Sequence, residues 1–228
     1  VNGYPVLNIS KTLDKVPAHW LVGAGIAALF WPALDESIRT LVKAFWERIN
    51  PSGGGPAGLP GAHVRGYNIE MPLTGSDSER VEKTLAVMRE LVKRDAADTV
   101  LRRFAVQLVS DCRGHDFRCE VEQCFRFVRD AITYRRDPAA VEYIQDAREM
   151  LCTRVGDCDE KACLLASLLG ALGHKSRFVV TGHTRGSYSH VYLEVLTRNG
   201  WLPLDPTNER AGCGWQQRAV SRATFEIF

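Results

Sequence analysis

VGDCDEKACLLASLLG, residues 155–170, decides the fold. A short acidic opening runs straight into an apolar stretch. Gly156 lets the chain turn tightly, and Ala162, Leu165, Leu168 and Leu169 give the helix that follows a buried face. Cys158 therefore sits at the first turn of a largely apolar helix. Two more stretches follow it. SHVYLEVL, residues 189–196, alternates as a strand does, and WLPLDPT, residues 201–207, is a second strand closed by Asp205-Pro206. In chain order these segments supply a thiol (Cys158), an imidazole (His190) and a carboxylate (Asp205). A cysteine nucleophile needs that set: a base to take its proton and an acid to orient the base.

The thiol needs the base. A helix N-terminus favours thiolate, but Asp157, Asp159 and Glu160 disfavour a second anion beside them. In the strand, Ser189, Val191, Leu193 and Val195 share one face, while His190, Tyr192 and Glu194 share the other. His174 and His183 lie after the helix and in a loop, and make weaker candidates for the base. The hairpin register decides whether Asp205 reaches His190. A two-residue turn at Asn199-Gly200 leaves them ~13 Å apart along the strand. A four-residue loop from Thr197 to Gly200 sets Asp205 opposite Tyr192, with His190 a diagonal neighbour at ~7–8 Å. Convergence requires the second register.

Upstream, the spacing predicts helices. Ser76-x-x-Glu79 reads as a capping box ahead of Val81, Leu85, Met88, Leu91 and Val92. Asp98 caps a second helix with Leu101, Phe104, Ala105, Leu108 and Val109 inward. A third runs from about Cys119 to Ile132, and a short one covers Val141 to Leu151. Arg177–Thr181 is a strand. Helices first and strands afterwards predict an α+β domain with an antiparallel sheet.

Before residue 57 the composition changes. Val16–Leu34 is almost uncharged, at the lower edge of the ~20 apolar residues that span a bilayer. Pro32, His19 and two glycines favour a packing or docking helix, with membrane contact as the alternative. An amphipathic helix follows through Ile38, Leu41, Val42, Phe45 and Ile49, then the linker PSGGGP at 51–56. Residues 1–56 read as an appendage and 57–228 as the main domain. A formal net charge of +2 gives no argument for nucleic acid.

Seven cysteines leave at least one thiol unpaired within the chain, and mostly reduced thiols are expected. Cys112, His115, Cys119 and Cys124 cluster, but their spacing matches no standard zinc framework. No cofactor or metal is expected.

The segments Val155–Asp159 with its apolar helix, Ser189–Glu194 and Trp201–Thr207 together resemble the core of the transglutaminase-like superfamily. Tyr134-Arg135-Arg136-Asp137-Pro138 and Val141-Glu142-Tyr143-Ile144-Gln145 resemble segments of its bacteriophage and prophage members. The resemblance runs from about Leu59 to Trp215. It implies a papain-like α+β fold, a Cys158–His190–Asp205 triad and attack on an amide carbonyl. One oxyanion donor would be the Cys158 backbone N–H. Gln145 is the first side-chain candidate for the second, with Tyr134 and Tyr143 behind it. The expected function is a cysteine peptidase or amidase, or an acyltransferase, acting on a peptide or protein. The alternative is a virion or assembly component that keeps the fold for binding, docking through residues 1–56. The virion or the host cytoplasm is the favoured location, with membrane association the alternative.

Overall fold

The computed structural model describes residues 68–72, 76–137 and 141–228. The apolar stretch Val16–Leu34, the amphipathic helix after it and the linker at 51–56 lie outside the described residues.

Strand β1 (Asn68–Pro72) precedes three helices: α1 (Asp77–Ala96), α2 (Thr99–Leu108) and α3 (Phe117–Ala131). Short-range chemistry sets each start. Ser76 and Glu79 close the capping box of α1, and Asp98 accepts from Val100 N and Leu101 N at 2.9 Å. Asp116 caps α3 through Cys119 N, so this helix begins two residues ahead of the expected Cys119. Strands β2 (Thr133–Tyr134) and β3 (Val141–Gln145), helix α4 (Ala147–Thr153) and strand β4 (Val155–Gly156) come next.

The helix expected over Val141–Leu151 is thus two elements. Val141–Gln145 pairs antiparallel with Asn68–Pro72, with Ile69 opposite Ile144. Asp146 then caps α4 through Glu149 N at 2.9 Å. A carboxylate that caps a helix must itself stand in extended backbone, which separates strand from helix there. The start of α4 is fastened to the α1–α2 junction: Ala147 N donates to Asp95 Oδ2 (2.8 Å), and Arg94 reaches Asp146 (3.1 Å).

Helix α5 (Cys158–Ala171) is the axis of the molecule. It packs against α1, α2, α3, α4 and the sheet strand His190–Thr197. Every residue from Asp159 to Leu169 is buried, on all sides of the helix. This explains why its sequence is apolar almost throughout rather than on one stripe. Gly170 permits one close contact, since a Cβ there would lie 2.7 Å from the Phe228 ring and 3.0 Å from Ala96 Cβ.

The main sheet has the order β7-β6-β5-β8 and is antiparallel throughout: β5 (Ser176–Gly182), β6 (His190–Thr197), β7 (Gly200–Leu204) and β8 (Ser221–Glu226). Val191, Leu193 and Val195 join the core shared with α5. Tyr192 and Glu194, on the alternate face, are buried too. Tyr192 Oη donates to Gln216 (2.7 Å), and Arg177 and Arg222 both donate to Glu194 (2.9 and 2.5 Å). The polar face of β6 is therefore a second interior, closed by the chain after β7.

The hairpin closes with Thr197 opposite Gly200, leaving Arg198 and Asn199 as a two-residue turn. The loop is shorter than the four residues expected, yet the register is the required one. Leu193 faces Leu204, so the next step of the ladder brings Asp205 level with Tyr192. Gly200 accommodates the turn with φ of 106°.

Cys112 and Cys119 form a disulfide across the α2–α3 connection. This corrects the expectation of reduced thiols for that pair, and it removes two of the four clustered donors considered for a metal. Cys124, Cys152, Cys158, Cys163 and Cys213 are free. Among the described residues, no helix is long and apolar enough to cross a membrane.

Candidate active site

Cys158 opens helix α5, whose cap is Asp157. The Asp157 side chain accepts from Asp159 N at 2.9 Å, and Glu160 returns the favour to Asp157 N at 2.8 Å. Arg154 enters the left-handed region (φ 54°) at the end of α4, which turns the chain into β4 and from there to the helix start. The Val191 backbone N–H, one residue beyond His190, lies near enough to the Cys158 sulfur to favour its anion, so the first turn of α5 sits against strand β6.

His190 begins β6 opposite Thr181. The β5–β6 connection leaves little freedom at its root. A Cβ on Gly182 would fall 1.8 Å from Ser187 O, and Ser189 N donates to Thr181 O at 2.9 Å. His190 Nε2 lies 2.8 Å from Asp205 Oδ2. The other carboxylate oxygen, Oδ1, accepts from Thr207 Oγ1 (2.6 Å) and Thr207 N (3.1 Å). Asp205 is 1% exposed. The Tyr192 ring lies alongside His190, with centroids 6.2 Å apart and planes at 28°.

Cys158 and His190 line one cleft of about 270 Å³. Its walls are the start of α5 (Asp157, Asp159), one side of α1 (Arg80, Val81, Thr84, Leu85) and the β5–β6 region (Val180, Tyr188). Cys158 and His190 thus share a cleft, and His190 is bonded to Asp205. His174 is elsewhere, with Nε2 2.7 Å from Glu120, and His183 is exposed in the connection.

The electrostatics are specific. Burial, then Asp159 and Asp157, push the Cys158 thiol well above the ordinary range, outweighing the opposite pull of the Val191 N–H. The Sγ–H points to Asp159 Oδ1 at 3.4 Å. At neutral pH the resting sulfur is a thiol, and it must lose its proton to a base in order to react. For Asp205, burial acts upward, but the bonds from His190 and Thr207 win and the carboxyl is held below its usual value. It stays ionised against the ring. Among the described residues, Asp157, Cys158 and Asp159 are the one group whose potential metal-ligand atoms converge, within 4.8 Å. Here the two carboxylates serve the helix cap and the thiol.

Gln145 is not part of the cleft. Both hydrogens of its amide are engaged, Nε2 donating to Glu160 Oε1 (2.7 Å) and to Val155 O (3.1 Å). That leaves none for a substrate oxygen. Tyr134 is 38% exposed on β2, level with Gly156 of β4, and the charges of Cys158 and Asp157 reach it.

Sequence reasoning missed three contributors. Thr207 was legible, because Asp-Pro-Thr is a standard frame for a carboxylate that bonds two residues onward. Glu160 was legible as the fourth residue of an Asp-x-x-Glu box. Lys161 carried no signal: it is 1% exposed and donates to Ile132 O (2.8 Å) and Arg129 O (3.3 Å), at the C-terminal end of α3.

Residues 102–206 match the family model of the transglutaminase-like superfamily. That span includes Cys158, His190 and Asp205. Over that span the chain is similar to the transglutaminase-like superfamily core, and its fold is a mixed helix-and-sheet one. Among solved structures it is similar to a candidate cysteine protease from Cytophaga hutchinsonii (14% identity, 54% of this chain and 49% of that one, TM-score 0.40). It is also similar to a candidate protease from Parabacteroides distasonis (18% identity, 53% and 26%, TM-score 0.41) and to a TGase (15%, 65% and 37%, TM-score 0.35). The chain spans about half the length of the first of these and less of the others. No curated protein matches it.

Proposed function

We propose that the domain is a thiol enzyme that cleaves or transfers an amide bond of a peptide or protein, with hydrolysis the favoured outcome. One observation carries the reading: His190 is bonded to a buried, ionised Asp205 at 2.8 Å while facing the same cleft as Cys158. Since Asp205 occupies Nε2, Nδ1 is the nitrogen left to serve the sulfur. The Cys158 sulfur attacks the amide carbonyl, and its proton passes to Nδ1. The ring then gives that proton to the departing amine, leaving a thioester. Water releases the acid, or an amine takes the acyl group. Asp205 fixes the tautomer and favours the transient imidazolium. The Cys158 backbone N–H supplies one oxyanion donor.

The kinship with phage-encoded proteins rests on the motifs at 134–138 and 141–145, and belongs to this proposal. So do the division at residue 56 and docking of residues 1–56 onto an assembly or a membrane. A peptidyl chloromethyl ketone tests the chemistry, because the protein contains its own reference thiols in exposed Cys152 and Cys213. Alkylation of Cys158 is expected to be much faster than of either, and His190→Ala should abolish the difference. Equal rates at the three thiols would leave a binding role instead.

A further inference from the structure

Beneath the turn that presents Cys158 lies a polar relay that touches no reacting atom. Thr153 Oγ1 donates to Gln145 Oε1 (2.9 Å), and Gln145 Nε2 donates to Val155 O (3.1 Å) and Glu160 Oε1 (2.7 Å). Glu160 Oε2 accepts from Asp157 N (2.8 Å). One amide and one carboxylate therefore hold the chain on both sides of Gly156, up to the residue before the nucleophile. The fit is close, since a Cβ on Gly156 would lie 2.8 Å from both Glu160 Oε2 and Met150 Sδ.

A second helix provides the comparison. Ser76 and Glu79 cap α1 with the same reciprocal pattern, fully at the surface. Capping alone does not require burial, yet Glu160 is 1% exposed. Burial raises its pKa to about 7, against the pull of the Asp157 N–H and Gln145, while the charges of Asp157 and Asp137 add to the rise. A buried acceptor of this kind is costly unless both its oxygens are matched, and here both are.

We infer that Glu160, gripped by Gln145, is a positioning residue that fixes the 155–157 turn so that the Cys158 sulfur stays in the cleft it shares with His190 and Val191. This rests on the thiol-enzyme reading above. It assigns Gln145 to the support of the nucleophile rather than to the oxyanion.

Two variants test it with the chloromethyl ketone. Glu160→Gln keeps the volume but sets an amide NH2 against a donor, either Asp157 N–H or Gln145 Nε2. Gln145→Ala, at a part-buried position, cuts the grip and leaves Glu160 in place; it supplies the answer if Glu160→Gln does not fold. In folded protein each should slow Cys158 alkylation by about tenfold or more, as misorientation does, with Cys152 unchanged. Adding His190→Ala to either should cost little further, because the sulfur has already lost its partner. A wild-type Cys158 rate in either folded variant overturns the inference, as do losses that multiply independently with His190→Ala. Failure of the thiol-enzyme reading looks different: His190→Ala alone would then leave the Cys158 rate unchanged.

Discussion

His190 and Asp205 share one short hydrogen bond, and a substitution at the acid changes the ring without emptying the site. Asp205→Asn should preserve the fold, since Thr207 still finds an acceptor, but it reverses the donor–acceptor sense at Nε2. The chloromethyl ketone rate at Cys158 should then fall by about a thousandfold or more. The same substitution gives a stability test. The folded carboxyl of Asp205 is held below its ordinary 3.8, so its contribution is complete above that pH and is lost as pH falls through the lower folded value. Denaturant melts of wild type and Asp205→Asn should differ most near neutrality and converge in strong acid. Gly156 is a residue-scale constraint of another kind. Gly156→Ala should cost about 1–3 kcal/mol by overpacking against Glu160 and Met150, and should slow Cys158 as well as lower the melting temperature.

Among the elements, the α2–α3 connection and the β5–β6 connection do separate jobs. The Cys112–Cys119 bridge closes a short loop, with a sequence separation of 7. A loop of that size is worth about 2–3 kcal/mol in the chain-entropy account. Replacing both cysteines by serine should lower the melting temperature while leaving the Cys158 rate as it was. Gly182→Ala should do both kinds of damage, because the added carbon collides with the Ser187 carbonyl in the segment that delivers His190. The hairpin and the nucleophile helix were legible because their chemistry is local: alternation in 189–196, an Asp-Pro stop, a polar mouth on an apolar helix. Other elements were not. Val141–Gln145 is too short for periodicity to separate strand from helix, and its partner Asn68–Pro72 is distant in sequence. The β8 strand alternates half-buried and exposed residues, so its sequence lacks an apolar stripe. Cysteine pairing depends on how the α2–α3 connection folds back onto the start of α3, which spacing does not encode.

At the scale of the whole molecule, the burial of α5 on every side forces its charged residues to find partners in the interior. Lys161 holds carbonyls at the end of α3, and burial lowers its pKa to about 8 from 10.5. A buried cation with a depressed pKa weighs against the folded state below pH 8, and that weight lifts as pH rises towards 10.5. Lys161→Met removes the titration but strands the Ile132 carbonyl, at a cost of about 1–3 kcal/mol. The stability gap between wild type and Lys161→Met, followed by urea melts, should therefore widen from pH 8 to pH 10. The neighbouring Glu160 runs oppositely: with its folded pKa raised to about 7, its contribution declines as pH rises from 4.5 to 7. None of this was visible in composition, because a lysine and a glutamate inside a helix ordinarily read as its solvent side.

The ring and the acid ride on one hairpin, joined by a two-residue turn, whereas the sulfur rides on a helix from a different part of the chain. Thermal sliding of helix against sheet therefore leaves the imidazole–carboxylate spacing untouched and alters a single gap. Reactivity in this molecule should behave as a one-coordinate instrument, tuned by whatever wedges or relaxes that seam.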